Sequence, residues 1–226
     1  PAGLSLVAPP SACPDCGVAI RPYDNLPVLS WLMLGGHCRS CETAISPRYP
    51  LTEAATGALF AAVVIARHAG RTTWLALIFV AALVAITRID LEHRIIPNRI
   101  LAPLAITALA LTAIFEPHQV VERLIAGAAA GGFLLAAVLA YPRGMGMGDV
   151  KLAAVMGLVL GRSVAPALFI ALLAGTVVGV GVMSRHGVRD GRKVAIPFGP
   201  FLALGGVVGV FAGPALVNVY LHGVGL

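Results

Sequence analysis

The sequence is poor in charge. Only 12% of its 226 residues are Asp, Glu, Lys or Arg, whereas 58% are hydrophobic. A soluble globular domain carries about 25% charged residues, and half that share cannot cover a water-facing surface. The shortage of charge therefore excludes a soluble domain and predicts an all-α polytopic membrane protein.

Long apolar runs fill the sequence after residue 50. A helix needs roughly 17 to 25 apolar residues to cross the hydrocarbon core of a bilayer. A shorter run at 149–161 is either a short span or a helix buried in the bundle, so we expect six or seven crossings within residues 51–226. The six longer runs predict spans near 51–67, 72–90, 99–115, 121–141, 163–183 and 198–221.

Lys and Arg are distributed unevenly over the predicted loops. When 149–161 is counted as a crossing, one side of the membrane collects all but four of the sixteen. Short loops rich in Lys and Arg remain in the cytosol, which places the N-terminal 50 residues there. The net charge of +6 then needs no nucleic-acid partner. The four exceptions are Arg67, Arg71, Arg123 and Arg162.

Glycines spaced by four residues occur within three predicted spans. Such spacing lets helix backbones approach closely and indicates a bundle, although it often arises by chance in a chain with 26 glycines. The pairs are Gly127 and Gly131, Gly175 and Gly179, and Gly205 and Gly209.

All four cysteines lie in the first 50 residues, in the pairs "CPDC" and "CRSC". This spacing suits a tetrahedral zinc ion, and the alternatives are two disulfides or a redox pair. Because the reducing cytosol disfavours disulfides, we predict a small cytosolic zinc-knuckle domain over 1–50. Its structural zinc ion would be held by Cys13, Cys16, Cys38 and Cys41.

Two acidic residues lie at the ends of apolar runs. Asp90 closes the second predicted span, and Asp149 begins the 149–161 run directly after "GMG". Acidic residues at membrane depth are costly and are candidates for function. Each also has an ordinary explanation, since Asp90 could pair with Arg88 or Arg94 and Asp149 could cap a helix.

Together these two carboxylates indicate a reaction. Two carboxyl groups that lie close together share a proton, so that one acts as a base toward water and the other as an acid toward a carbonyl oxygen. This chemistry hydrolyses a peptide bond without a metal or a covalent nucleophile. We expect Gly146 and Gly148 to adopt unusual backbone angles and to let a substrate strand pass close to Asp149.

Four stretches resemble, in order, the motifs of one family. "GMGDVKLAAVMG" contains the GxGD signature of intramembrane aspartyl proteases. The cysteine region from "CPDCGVAI" to "PRYPLTE", together with "DLEHRIIPN" and "IPFGPFLALGG", resembles the bacterial type IV prepilin peptidases. GxGD alone is a weak pattern, whereas four motifs in order with two Cys-x-x-Cys pairs are specific.

This resemblance implies that Asp90 and Asp149 are the catalytic dyad and that the four cysteines bind zinc. It implies prepilin or pseudopilin precursors as substrates, cut just after a glycine on the cytosolic side of the bacterial inner membrane. Cysteine-containing members commonly also methylate the new N-terminus with S-adenosylmethionine. The family usually has a further span before the cysteine domain, so the resemblance implies a helix ahead of residue 1.

Three further features are candidates near the site. Lys151 would hold substrate, lower the pKa of the two aspartates, or simply extend to the interface. Glu53 would bind a substrate amine or serve methyl transfer, or it is simply an acid in the first turn of a helix. Two prolines interrupt helix at 196–201, and irregular backbone at that depth is tolerated only where it is buried or lines a wet cavity. We therefore expect 196–201 to border the active site.

Two other classes of protein share parts of this pattern. A transporter or zinc-regulated membrane protein would use Asp90 and Asp149 to handle protons or cations. However, no acid at mid-bilayer continues such a path. A presenilin-like protease shares GxGD but predicts neither the cysteines nor "IIPN". The sequence leaves the oligomeric state open.

Overall fold

A computed structural model describes residues 12–68, 70, 72–141, 144–191 and 196–224. These residues contain two isolated β-bridges but no β-strand, which confirms the all-α prediction. Short 3-10 helices lie at Pro22–Asn25, Pro117–Gln119 and Gly161–Ser163. The α-helices of the described residues are α1 (Leu29–Met33), α2 (Arg48–Arg67), α3 (Thr73–His93), α4 (Asn98–Phe115), α5 (Val120–Ala140), α6 (Met147–Leu160), α7 (Val164–Gly191) and α8 (Gly199–Val224).

Six segments of the described chain are long and apolar enough to cross a membrane. They comprise α2, α3, α4, α5 with its preceding turn, the α6–α7 stretch, and α8. The prediction of a polytopic membrane protein is therefore confirmed. Four basic residues used to orient the loops lie outside the described residues, namely Arg71, Arg143, Arg192 and Lys193.

The chain divides into two compact units, Pro1–Leu59 and Phe60–Leu226. The first unit holds the four cysteines, α1 and the start of α2. The second unit holds the rest of α2 and the helices from α3 to α8. Each unit is described separately below.

Helix α6 packs closely against α5 in the antiparallel direction. A Cβ on Gly157 would lie 2.5 Å from the carbonyl oxygen of Ala126, and one on Gly131 would lie 2.9 Å from the Cβ of Ala154. Residue numbers therefore rise along α6 as they fall along α5. Although α6 has only 14 residues, it runs from one end of the bundle to the other, and Gly161 (φ +58) then turns the chain toward α7.

Helix α8 lies between α7 and α3 and runs antiparallel to both. A Cβ on Gly205 would overlap the carbonyl oxygen of Ala167 in α7. A Cβ on Gly206 would lie 2.7 Å from Leu83 in α3. These contacts place the start of α8 at the same end of the bundle as the end of α3.

The predicted glycine pairs correspond to helix contacts in two cases. One pair in α5 faces α6, and the pair in α8 faces α7. In the third case Gly175 lies near Phe198, but a Cβ on Gly179 would meet nothing within 4 Å. Spacing by four residues therefore identified most, but not all, of the close helix packing.

The core of the second unit lies where α3, α5, α6 and α8 meet. Large apolar side chains on the outer helix surfaces are exposed, as expected where lipid surrounds a bundle. Examples of exposed side chains are Ile106, Phe133, Phe169 and Val219. The fully buried core side chains include Phe79, Leu83, Leu134, Leu152, Met156 and Leu202.

A substitution at Gly205 tests this packing. We expect Gly205→Ala to lower the free energy of unfolding by about 1–3 kcal/mol, because the new Cβ must displace the Ala167 backbone. Thermal unfolding in detergent measures the change. Gly132→Ala is the matched control, since a Cβ there meets nothing within 4 Å. Equal stability of the two variants would contradict the packing.

Candidate active site

Asp90 lies in the last turn of α3 and is only 5% exposed. Its Oδ2 accepts a hydrogen bond of 2.9 Å from the backbone N–H of Gly199, the first residue of α8. A Cβ at position 199 would lie 2.6 Å from that same oxygen. Only a glycine therefore lets the start of α8 approach closely enough to hold Asp90.

Asp149 is the third residue of α6 and is 7% exposed. Its Oδ2 accepts a hydrogen bond of 3.1 Å from the backbone N–H of Gly146, which precedes the helix. The ordinary explanation of Asp149 as the N-cap residue is therefore wrong: Gly146 is the N-cap, and Asp149 accepts its N–H from the third helical position. Both of these bonds are made to Oδ2, so neither glycine occupies the Oδ1 atom of its carboxylate.

The ordinary explanation of Asp90 as a surface ion pair is wrong. Arg88 instead pairs with Glu92. No Lys or Arg within the described ranges forms an ion pair with Asp90 or Asp149. These two are the only acidic residues buried in the described part of the chain, and their carboxylates are close enough to interact electrostatically.

The two glycines before Asp149 do not adopt unusual backbone angles, so that expectation is wrong. Gly146 has φ −85 and ψ 154, an extended conformation open to any residue. Gly148 is helical and has no positive φ. A Cβ on Gly148 would lie 3.0 Å from the Cβ of Ile96. Gly148 therefore allows the segment between α3 and α4 to pack against the start of α6.

Lys151 links two helices beside Asp149. Its Nζ donates a hydrogen bond of 3.1 Å to Oδ1 of Asn98, the first residue of α4, at an exposed position. The 196–201 segment lies beside Asp90, as expected, because the backbone N–H of Gly199 donates to the Asp90 carboxylate. Lys151 and Asn98 are therefore exposed where α4 and α6 begin, and a role for Lys151 in holding substrate remains a prediction.

Glu53 belongs to the unit that carries the cysteines. Its Oε2 accepts a hydrogen bond of 2.9 Å from the backbone N–H of Val28, which has φ 62 and is the residue directly before α1. Glu53 thus attaches α1 to α2. Its use in amine binding or methyl transfer remains a prediction.

The four cysteines form a cluster that can hold a metal ion. Their Sγ atoms all lie within 4.8 Å of one another, and those of Cys13 and Cys41 are 3.8 Å apart. Thiolates at about 2.3 Å from a tetrahedral zinc ion would be separated by about 3.8 Å, whereas a disulfide requires about 2.05 Å. The arrangement fits zinc better than it fits disulfides.

The two cysteine pairs lie in turns of the same form. The N–H of Cys13 donates to Val18, and that of Cys38 donates to Thr43. The residue four positions after each first cysteine has a positive φ, with 70 at Gly17 and 56 at Glu42. Each pair is therefore a knuckle, and the two knuckles repeat the same backbone fold.

Hydrogen bonds favour the thiolate form of Cys41 in the second knuckle. Bonds with the Thr43 side chain and backbone lower the pKa of Cys41 to about 6. Nearby, Arg39 forms an ion pair with Asp24 at 2.7 Å, and this hydrogen bond lowers the pKa of Asp24. Arg39 also lies over the ring of Tyr23, so this ion pair and stacking connect the second knuckle to the segment before α1.

Comparisons with known proteins agree with this geometry. Residues 1–67 match the Bacterial Peptidase A24 N-terminal domain, and residues 77–180 match the Type IV leader peptidase family. The chain is 36% identical over 231 residues to the prepilin leader peptidase/N-methyltransferase of Pseudomonas aeruginosa, covering 98% of this chain and 78% of that relative. The protein of the same name from Bacillus subtilis is 34% identical, with 98% of this chain and 89% of the relative covered.

The chain belongs to the type IV leader peptidase family. The predicted resemblance is confirmed, the protein is a peptidase, and the transport hypothesis is not favoured. No solved structure matches the chain. Asp90 and Asp149 both lie within the region matched to this peptidase family.

Gly199, Ile96 and Asn98 are the site residues that sequence reasoning did not single out. All three lie inside quoted motifs, "IPFGPF" and "IIPN", so the motifs contain the correct regions. Their partners are distant in sequence, since Gly199 and Asp90 are 109 positions apart. Only the packing of α8 beside α3 identifies what the glycine does.

A substitution at Gly199 tests whether this contact positions the leader peptidase site. We expect Gly199→Ala to reduce kcat by up to about a hundredfold, because the new Cβ must push the Asp90 carboxylate away from its place. Cleavage assays on purified, folded protein measure the effect, with Gly132→Ala as a helix-glycine control. An unchanged kcat would show that the contact does not position Asp90.

Proposed function

We propose that Asp90 and Asp149 are the catalytic pair with which this leader peptidase removes the short leader from type IV prepilin or pseudopilin precursors. The observation that carries the proposal is their shared burial at one end of the bundle. Each is held through one oxygen by a glycine N–H, and neither is neutralised by a basic side chain in the described part of the chain. The names of the relatives support prepilin as the substrate.

The chemistry requires one proton shared between the two carboxyl groups. The ionised carboxylate takes a proton from a water molecule, whose oxygen attacks the scissile carbonyl carbon. The other carboxyl group donates its proton to the carbonyl oxygen, which gives a neutral tetrahedral intermediate. When the C–N bond breaks, the leaving amine takes the proton that the first carboxylate gained from water, and a hydroxyl of the intermediate gives its proton to the other carboxylate as the C=O bond re-forms. The pair then again holds one shared proton. The roles belong to the pair and not to either residue alone.

The position of the pair fits a substrate that is itself a membrane helix. The precursor's apolar helix would enter the bundle from the bilayer while its polar leader remains in the cytosol of the bacterium. The excess of Lys and Arg on one side supports a cytosolic location for both the cysteines and the active site. The protein would then lie in the inner membrane, where its precursors are inserted.

Conservative replacement of each aspartate tests the catalytic assignment. We expect Asp90→Asn and Asp149→Asn each to reduce cleavage of a prepilin by at least about a hundredfold, the usual contribution of a general acid or base. Asn retains an oxygen that can accept the glycine N–H, so the variants should remain folded. The readout is the mass of the released leader and mature pilin.

Glu92→Gln is the matched control for these variants. Glu92 is an exposed acid two residues after Asp90 and pairs with Arg88. We expect its cleavage rate to stay within a factor of about two of wild type. Substantial cleavage by folded Asp90→Asn or Asp149→Asn would contradict the dyad.

The four cysteines would hold a structural zinc ion in a cytosolic domain that spans residues 1–50. The spacing of Cys13 and Cys41 and the repeated knuckles support this assignment, and four protein ligands leave no open position for catalysis. Zinc supplies cross-linking of the two knuckles and takes no part in the hydrolysis. The residues that would hold it are Cys13, Cys16, Cys38 and Cys41.

Metal analysis of the purified protein tests this proposal. We expect about one zinc ion per chain in wild type, and loss of that zinc in Cys38→Ser, with faster proteolysis of the first unit. Ser40→Ala lies in the same knuckle but removes no ligand, so it should retain zinc. Full zinc content in Cys38→Ser would contradict the four-cysteine site.

The relatives' names also support methylation of the new N-terminus, with S-adenosylmethionine as the methyl donor. The carboxylate considered for this step, Glu53, is engaged by the Val28 backbone. We therefore assign no residue of this chain to the methyl donor. Transfer of a labelled methyl group from S-adenosylmethionine to mature pilin would establish the second activity.

A further inference from the structure

A polar cavity of about 500 Å³ lies at the end of the bundle opposite Asp90 and Asp149. It is bounded by the ends of α2, α4 and α6, the start of α5 and the outer half of α8. All of its lining residues belong to the second unit. Its charged side chains are Arg67, Glu116, Glu122, Arg123 and Arg162.

The nearest wall of the cavity is separated from Asp149 only by the length of the short helix α6. Helix α6 rises about 1.5 Å per residue, so Leu160 on the cavity wall is only about 17 Å from Asp149 along the helix axis. The hydrocarbon core of a bilayer is about 30 Å thick. Arg123, which donates to the Val159 carbonyl, therefore lies at less than a bilayer thickness from Asp149. Charged groups at such depth are candidates for function.

The basic residues of this cavity lie on the side of the membrane where the loops carry few Lys and Arg. Of the four basic residues that the loop count places away from the cytosol, three line this one cavity. The fourth, Arg71, lies outside the described residues. Positive charge is depleted on that side of a membrane protein, so its concentration around a single cavity needs a local reason.

Arg123 is held rigidly but retains an unused donor. It is only 8% exposed, and its terminal nitrogens donate to the Val159 carbonyl, to Glu116 at 2.7 Å and to Gln119 at 3.1 Å. Its Nε is buried and has no hydrogen-bond partner among the described residues. A buried donor without a partner is costly. A ligand that accepts a hydrogen bond from Arg123 Nε would remove this cost.

The charges that surround the cavity do not balance. Glu116 pairs with Arg123, and Glu122 pairs with Arg162 at 3.6 Å. Arg67 donates to the Val210 carbonyl at 3.0 Å and approaches the Thr72 hydroxyl at 3.5 Å. Arg67 forms no ion pair with a carboxylate of the described residues. One positive charge therefore remains without a counter-ion.

We propose that this cavity binds a phosphate group, supplied by the headgroup of an anionic phospholipid or by free inorganic phosphate. Guanidinium groups bind phosphate oxygens with strong, directed hydrogen bonds. Arg67 supplies the unbalanced charge, and Arg123 the unused donor. The site is independent of peptide hydrolysis because it lies at the other end of the bundle.

Thermal unfolding of the purified full-length protein in neutral detergent tests the proposal. The probes are phosphatidylglycerol, phosphatidylcholine as its zwitterionic counterpart, and sodium phosphate against sodium chloride at equal ionic strength. Native mass spectrometry measures the affinity for phosphatidylglycerol. We expect phosphatidylglycerol to raise the Tm of wild type and phosphatidylcholine to leave it unchanged.

Variants then locate the effect in this cavity. We expect Arg67→Gln to weaken phosphatidylglycerol binding about tenfold, the value of one charged hydrogen bond. Arg162→Gln should weaken it too, because it removes the positive charge that pairs with Glu122 and so adds a net negative charge to the cavity. The Arg162 side chain is 67% exposed, so the fold should tolerate the change. Arg185→Gln, an exposed arginine of α7, is the control and should bind like wild type.

The outcomes distinguish the two sources of phosphate. A shift with phosphatidylglycerol alone assigns the site to lipid, whereas an equal shift with inorganic phosphate that also depends on Arg67 assigns it to free phosphate. Two results would overturn the proposal. One is the absence of any shift with either probe, and the other is binding that neither Arg67→Gln nor Arg162→Gln weakens.

Discussion

A buried carboxylate must have a hydrogen-bond donor, and here both aspartates obtain it from the backbone of a glycine. The bond from Gly199 joins the end of α3 to the start of α8, and the bond from Gly146 closes the first turn of α6. Because backbone donors carry no net charge, they hold the carboxylates in place without neutralising them. The pair thus keeps the charge that acid and base catalysis requires.

The short α6 sets the distance between Asp149 and the polar cavity of the second unit. Its 14 residues connect Asp149 to the polar cavity, whereas α8 has 26 residues and α7 continues from Val164 to a non-helical residue at Gly187. Close glycine contacts let α5 and α8 pack tightly around the core. The cavity wall that α6 forms is therefore less than a bilayer thickness from Asp149.

Much of this arrangement could be predicted from the sequence, because membrane spans and ligand spacing are local patterns. Asp90, Asp149 and the four cysteines were identified in this way. The contact of Gly199 with Asp90 could not be predicted, since it depends on how α8 packs beside α3. The same is true of Gly148, whose helical geometry and contact with Ile96 replace the unusual backbone angles that were expected. The only sign of the cavity in the sequence is the few basic residues in loops that are placed away from the cytosol.

The central claim is that both aspartates together hold the tetrahedral intermediate. The most direct measurement is the affinity of wild type, Asp90→Asn and Asp149→Asn for a prepilin peptide in which a hydroxyl-bearing tetrahedral carbon replaces the scissile carbonyl. Such analogues bind far more tightly than substrates when a site is complementary to the transition state. We expect tight binding to wild type and a large loss in each variant, while all three bind the uncleaved precursor alike. Equal affinity of the analogue for all three proteins would contradict the account.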